Sequence, residues 1–115
     1  MSITLYGIKA CDTMKKARTW LDDRSVNYRF HDFKSEALEP EVLDRWVKAV
    51  GWEVLINRSG TTFRNLPPEE RKGVDEAKAV RLMLAQPTMV KRPVLDFDGH
   101  VIVGFKAEAY AAVLG

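Results

Sequence analysis

Thiols are almost absent from this chain: Cys11 is the only cysteine among 115 residues. An internal disulfide is therefore excluded, and a reducing compartment, the cytoplasm, is the expected location. Histidine is equally sparse. His31 and His100 stand far apart, and neither belongs to a metal-ligand spacing, so no metal site is predicted. Each is assigned a structural or solvent role. No apolar run approaches the roughly 18 residues of a membrane span. The N-terminus lacks a basic stretch followed by a long apolar one, so no secretory signal is read. A net charge of +2 is too small to argue for nucleic acid, and Lys15-Lys16 is too short for a binding patch. Internal repeats, low-complexity segments and flexible linkers are missing too. What remains is a length and composition suited to one folded domain, residues 1–115.

The pattern along the chain supplies the architecture. Ile3 to Tyr6 reads as a first strand, with Gly7 opening a loop, and Asp12 to Asp23 as a helix with Met14, Ala17 and Leu21 on one face. Ser25-Val26-Asn27 is a turn, and Tyr28-Arg29-Phe30-His31-Asp32 alternates as a second strand. Strand, helix and strand in some thirty residues imply a parallel pair with a crossover helix. Residues 33–92 read as a helical insertion. Pro40 starts a helix carrying Val42, Leu43, Trp46, Val47 and Val50 that Gly51 stops. Trp52 to Phe63 reads as irregular, and Pro67-Pro68 as the start of a brief turn ending at Gly73. Asp75 reads as the N-cap of a helix through about Ala85 with Val80, Met83 and Leu84 inward. Trp20, Trp46 and Trp52 are taken as packing residues. Pro93 to Phe97 and His100 to Val103 flank Asp98-Gly99, a strong hairpin signal, and Lys106 to Leu114 closes the chain as a helix. The order β-α-β, helical insertion, β-β-α is that of an α/β, thioredoxin-like fold with a mixed sheet.

Cys11 falls where the first strand hands over to the first helix. A helix N-terminus offers unpaired N–H groups and the positive end of the macrodipole, both of which favour a thiolate. Lys9, Lys15 and Lys16 add positive charge nearby. A lone cysteine is just as often a small buried hydrophobe, and local context alone leaves the two readings level.

The residues around it carry a resemblance. Gly7-Ile8-Lys9-Ala10-Cys11-Asp12-Thr13-Met14-Lys15-Lys16-Ala17 with Trp20-Leu21 resembles the opening of the arsenate reductase (ArsC)/Spx family. Tyr28-Arg29-Phe30-His31-Asp32-Phe33, Leu55-Ile56-Asn57-Arg58-Ser59-Gly60 and Lys91-Arg92-Pro93 continue it from end to end, in the manner of the small YffB-type members. The resemblance implies that Cys11 is the nucleophile and that Arg58 and Arg92 line an anion site, where a guanidinium fork grips an oxyanion or carboxylate. Lys9 is a further anion-binding candidate. Thr13 either donates its hydroxyl to the sulfur or an anion, or is an ordinary first-turn residue. A cis bond before Pro93 is implied, turning the backbone of Arg92 towards Cys11, against the alternative of a trans proline opening a strand.

Two departures from the family narrow the expected activity. Spx-type regulators and thioredoxins use Cys-x-x-Cys, whereas the fourth position here is Met14. Glutaredoxin-coupled arsenate reductases have a third arginine late in the chain, and the matching stretch here reads Val103-Gly104-Phe105-Lys106. The reading is thus a monothiol oxidoreductase, a monomer with no bound cofactor, using glutathione as co-substrate to release Cys11 from a mixed disulfide. Glutaredoxin is a candidate partner; nucleic acid and membrane are not. The alternatives are an Spx-like protein that binds RNA polymerase and a weak arsenate reductase.

Overall fold

The structure, a computed structural model, describes residues 2–114. It divides into two compact units, Met1–Glu36 with Arg92–Gly115, and Ala37–Lys91. The first unit holds a four-stranded sheet in the order β2-β1-β3-β4. β1 (Ile3–Gly7) pairs in parallel with β2 (Arg29–Asp32) and antiparallel with β3 (Val94–Phe97), which pairs antiparallel with β4 (His100–Val103). The two inner strands are the most buried, with Leu5, Tyr6, Val94 and Leu95 enclosed on them. A parallel pair cannot be joined by a hairpin, and α1 (Asp12–Asp23) makes the crossover. It buries Met14, Ala17, Trp20 and Leu21 against Leu5, Leu95 and Tyr110 of α7 (Ala107–Leu114). Beyond α1 the chain turns at Ser25, with φ 55°, and the Val26 amide donates to the Leu21 carbonyl at 3.0 Å. Between β3 and β4, Asp98 and Gly99 both take positive φ, 50° and 85°, as a two-residue hairpin requires.

The second unit is helical. It contains α2 (Pro40–Val50), the single turns α3 (Trp52–Leu55), α4 (Thr61–Arg64) and α5 (Pro68–Arg71), then α6 (Glu76–Ala85) and a 3-10 turn, Pro87–Met89. Gly51 ends α2 at φ 89°, a conformation that side chains other than glycine rarely adopt. Residues 52–63 are thus not irregular throughout: two one-turn helices flank the Ser59-Gly60 turn. A single turn is too short to show a 3.6-residue period. Ile56 and Val90 form an isolated antiparallel bridge, flanked by Asn57 N–H to the Met89 carbonyl and Lys91 N–H to the Leu55 carbonyl, at 2.8 and 2.7 Å.

Asp75 caps α6, its side chain accepting from the Lys78 amide at 2.9 Å. The buried face of α6 is Ala79, Leu82 and Met83; Val80 and Leu84, expected inward, are only half-buried. The rotation follows from Lys78, whose Nζ donates to the carbonyls of Glu69 and Lys72 at 2.8 and 2.6 Å. That commits one side of the helix to the loop before it, and small Ala79 leads the packed face.

Candidate active site at the start of the first helix

β1 ends at Gly7, a short turn through Lys9 and Ala10 follows, and α1 begins at Asp12. Cys11 is therefore the N-cap, extended at φ −101° and ψ 131°, with its carbonyl already accepting from the Lys15 amide at 3.0 Å. An N-cap side chain faces the unpaired amides of the first turn, so the thiol meets N–H groups that have no helical partner. Partial burial pushes the Cys11 thiol up, but the nearby Met14 and Thr13 amides of the first turn and the Arg92 guanidinium outweigh it. The net effect lowers its pKa below the ordinary thiol value. Cys11 is half-buried and in no disulfide.

Arg92 immediately precedes β3 and is half-buried, and the Arg92–Pro93 bond is cis. Next to it in the sheet, Val94 of β3 pairs with Tyr6 of β1, one residue before Gly7. The sheet thus brings residues 92 and 11, distant in sequence, to the same end of the unit. Lys9 is exposed on the turn, and neither it nor Lys15 or Lys16 is among the groups that lower the Cys11 pKa. The charged group that acts on the thiol is the Arg92 guanidinium. Thr13 acts through its backbone amide. Arg58 belongs to the helical unit, where its guanidinium lies 5.6 Å from the Trp52 ring centre.

Met14, where Cys-x-x-Cys proteins carry a second thiol, is fully buried. Phe105, where the resemblance would put a third arginine, packs edge-on against Tyr110 with ring centres 4.9 Å apart, and Lys106 beside it is exposed. His31 is buried across from Tyr6, ring centres 4.6 Å apart, with Nδ1 3.8 Å from Glu36. It serves packing, as expected, while His100 is exposed at the hairpin. Among the described residues no three His, Cys, Asp or Glu side chains gather in a way that could hold a metal.

The model of the ArsC family matches residues 6–113, nearly the whole chain and the entire Cys11 region. The chain belongs to the ArsC family. An uncharacterized protein of Haemophilus influenzae is 38% identical over 110 residues, covering 96% of both chains. A solved structure of a protein named YFFB is 57% identical, with a TM-score of 0.95, covering 99% of this chain and 100% of that one. An arsenate reductase (ArsC) related protein from Brucella melitensis is 61% identical, with a TM-score of 0.75, over 98% and 94% of the two chains. The ArsC-family fold of these proteins is thioredoxin-like, and the element order and mixed sheet described above are its form in this chain.

Proposed function

We propose that this ArsC-family chain is a monothiol oxidoreductase that reduces glutathione mixed disulfides with glutathione as the outside thiol. One observation carries the reading: the sole thiol of the chain is the N-cap of α1, at the end of the sheet where Arg92 also lies, a setting that lowers its pKa. A thiol poised this way holds more thiolate at neutral pH, and the thiolate is the attacking species. In the first step Cys11 Sγ attacks the glutathione sulfur of a substrate R–S–S–G. The S–S bond breaks, R–S⁻ leaves and takes a proton from solvent, and Cys11 is joined to glutathione. In the second step a glutathione thiolate attacks that same glutathione sulfur, which yields oxidised glutathione and returns Cys11 as thiolate. The substrate thiol is reduced and two glutathione sulfurs end as one disulfide, so atoms and electrons balance. An outside thiol is required because Met14 fills the position of a resolving cysteine.

Arg92 is the group suited to hold a carboxylate of glutathione beside the sulfur, since its fork stays charged at any working pH. The test is turnover of a glutathione mixed disulfide by wild type and by Cys11→Ser. Activity is expected in wild type and none in the variant. A Cys11→Ser protein that turns over as well as wild type would remove Cys11 from the reaction.

A further inference from the structure

Cys11 is the N-cap of α1, so the backbone around its sulfur is the first turn of a helix that must be held somewhere. Gly7 is pinned at the end of β1: it pairs with Asp32 of β2, and its carbonyl accepts from the Phe33 amide at 2.8 Å. Directly over it lies the Met14 side chain. A Cβ on Gly7 would overlap the Met14 sulfur and stand 2.7 Å from Cε and 3.1 Å from Cγ. The methionine occupies the volume that a side chain at residue 7 would need, and it is 0% exposed. Strand end and helix start are thus pressed together across the loop that carries Cys11.

We propose that Met14 is a positioning residue: packed on Gly7, it holds the first turn of α1 so that the amides of residues 13 and 14 face the Cys11 sulfur. The inference rests on the reading of Cys11 as the working thiol. Met14 touches neither substrate nor reacting atom in this role; it acts through the backbone it carries. A side chain long enough to reach Gly7 is needed at residue 14, and no side chain at residue 7. Both requirements disagree with a merely space-filling role, in which any core residue of α1 would matter equally.

The experiment is the pH profile of Cys11 alkylation by iodoacetamide in wild type, Met14→Ala, Met14→Leu, Gly7→Ala and Leu21→Ala. Leu21 is as fully buried on the same helix but lies more than two turns from the sulfur. Met14→Ala and Gly7→Ala are expected to move the profile upward, so that alkylation at pH 6 slows by about threefold or more through loss of thiolate. Met14→Leu, which keeps the volume, is expected to restore the wild-type profile, and Leu21→Ala to retain it despite its lower stability. If Met14→Ala does not fold, Met14→Val, which is too short to cover Gly7, carries the test with the same expectation. Folded Met14→Ala (or Met14→Val) and Gly7→Ala proteins that alkylate along the wild-type profile would overturn the inference, as would an equal displacement by Leu21→Ala. A wild-type thiol that already titrates at the ordinary value would overturn the reading of Cys11, and this inference with it. A low wild-type value with unmoved variants would sink this inference alone.

Discussion

At the scale of single residues, the chemistry is concentrated on Cys11 and Arg92. The thiol's pKa is lowered in the folded chain, so its alkylation rate is expected to inflect below the ordinary thiol value of about 8.5. The same fact sets a pH dependence of stability. A group with a lowered native pKa stabilises the fold fully above its unfolded value, and this contribution fades as pH falls through the native value. The stability gap between wild type and Cys11→Ser is therefore expected to widen in favour of wild type from pH 6 to pH 9, as read by urea unfolding. A gap that narrows over that range would mean the sign is wrong. Arg92→Ala is expected to raise the thiol's pKa and weaken glutathione binding by ~1.5–3 kcal/mol, the worth of one charge-assisted hydrogen bond. Calorimetric binding equal to wild type by a normally folded Arg92→Ala protein would dismiss the contact.

At the scale of elements, two helices allow separate tests. The Asp75 side chain accepts the Lys78 amide at the start of α6, and replacing an N-cap of this type by alanine costs ~1 kcal/mol. Asp75→Ala is expected to lose that amount in urea unfolding with the alkylation profile of Cys11 unchanged. A shifted profile would mean that the effect of this cap is not confined to α6. On α7, Tyr110 is 0% exposed, with its ring edge-on to Trp20 and Phe105, and its buried hydroxyl has no hydrogen-bond partner among the described residues. Burial raises its pKa, which keeps the phenol neutral. A buried hydroxyl with no partner carries only a desolvation penalty, so Tyr110→Phe is expected to be as stable as wild type or more so. A loss beyond ~1 kcal/mol would reveal a hydrogen bond to the phenol.

At the scale of the whole molecule, the fold is shared with an arsenate reductase (ArsC) related protein, and the family resemblance implies one arginine fewer here than in the glutaredoxin-coupled reductases. Reducing arsenate requires donors that stabilise the charge building on its oxygens, and each such donor is often worth ~2.7–4 kcal/mol. Where the resemblance would put a third arginine, this chain has Phe105, engaged with Tyr110, and exposed Lys106, a point charge without the two-pronged fork. Arsenate-dependent oxidation of glutathione is therefore expected to be absent or very slow in a preparation that turns over a glutathione mixed disulfide. Robust turnover of arsenate would make the chain an arsenate reductase instead.

The sequence by itself determined the order of the elements and the position of the thiol. Strong local signals produced that result: the strand-to-helix handover at Gly7 to Asp12, Pro40 and Gly51 bounding α2, the Asp75 cap, and the Asp98-Gly99 turn all act within a few residues. The one-turn helices α3 and α4 escaped it because they are too short to show a period, and the rotation of α6 because two overlapping faces share the helical spacing and the Lys78 contacts choose between them. At Cys11 the helix start was legible locally, whereas Arg92 entered only through the family resemblance. Lys9, Lys15 and Lys16 are neighbours in sequence, and a flexible exposed lysine spends its charge on water. Arg92 is eighty-one positions away and reaches the sulfur only because β3 runs beside β1. The tight meeting of Met14 with Gly7 likewise depends on how closely helix and strand pack, a distance that no local pattern carries and that tertiary structure alone decides.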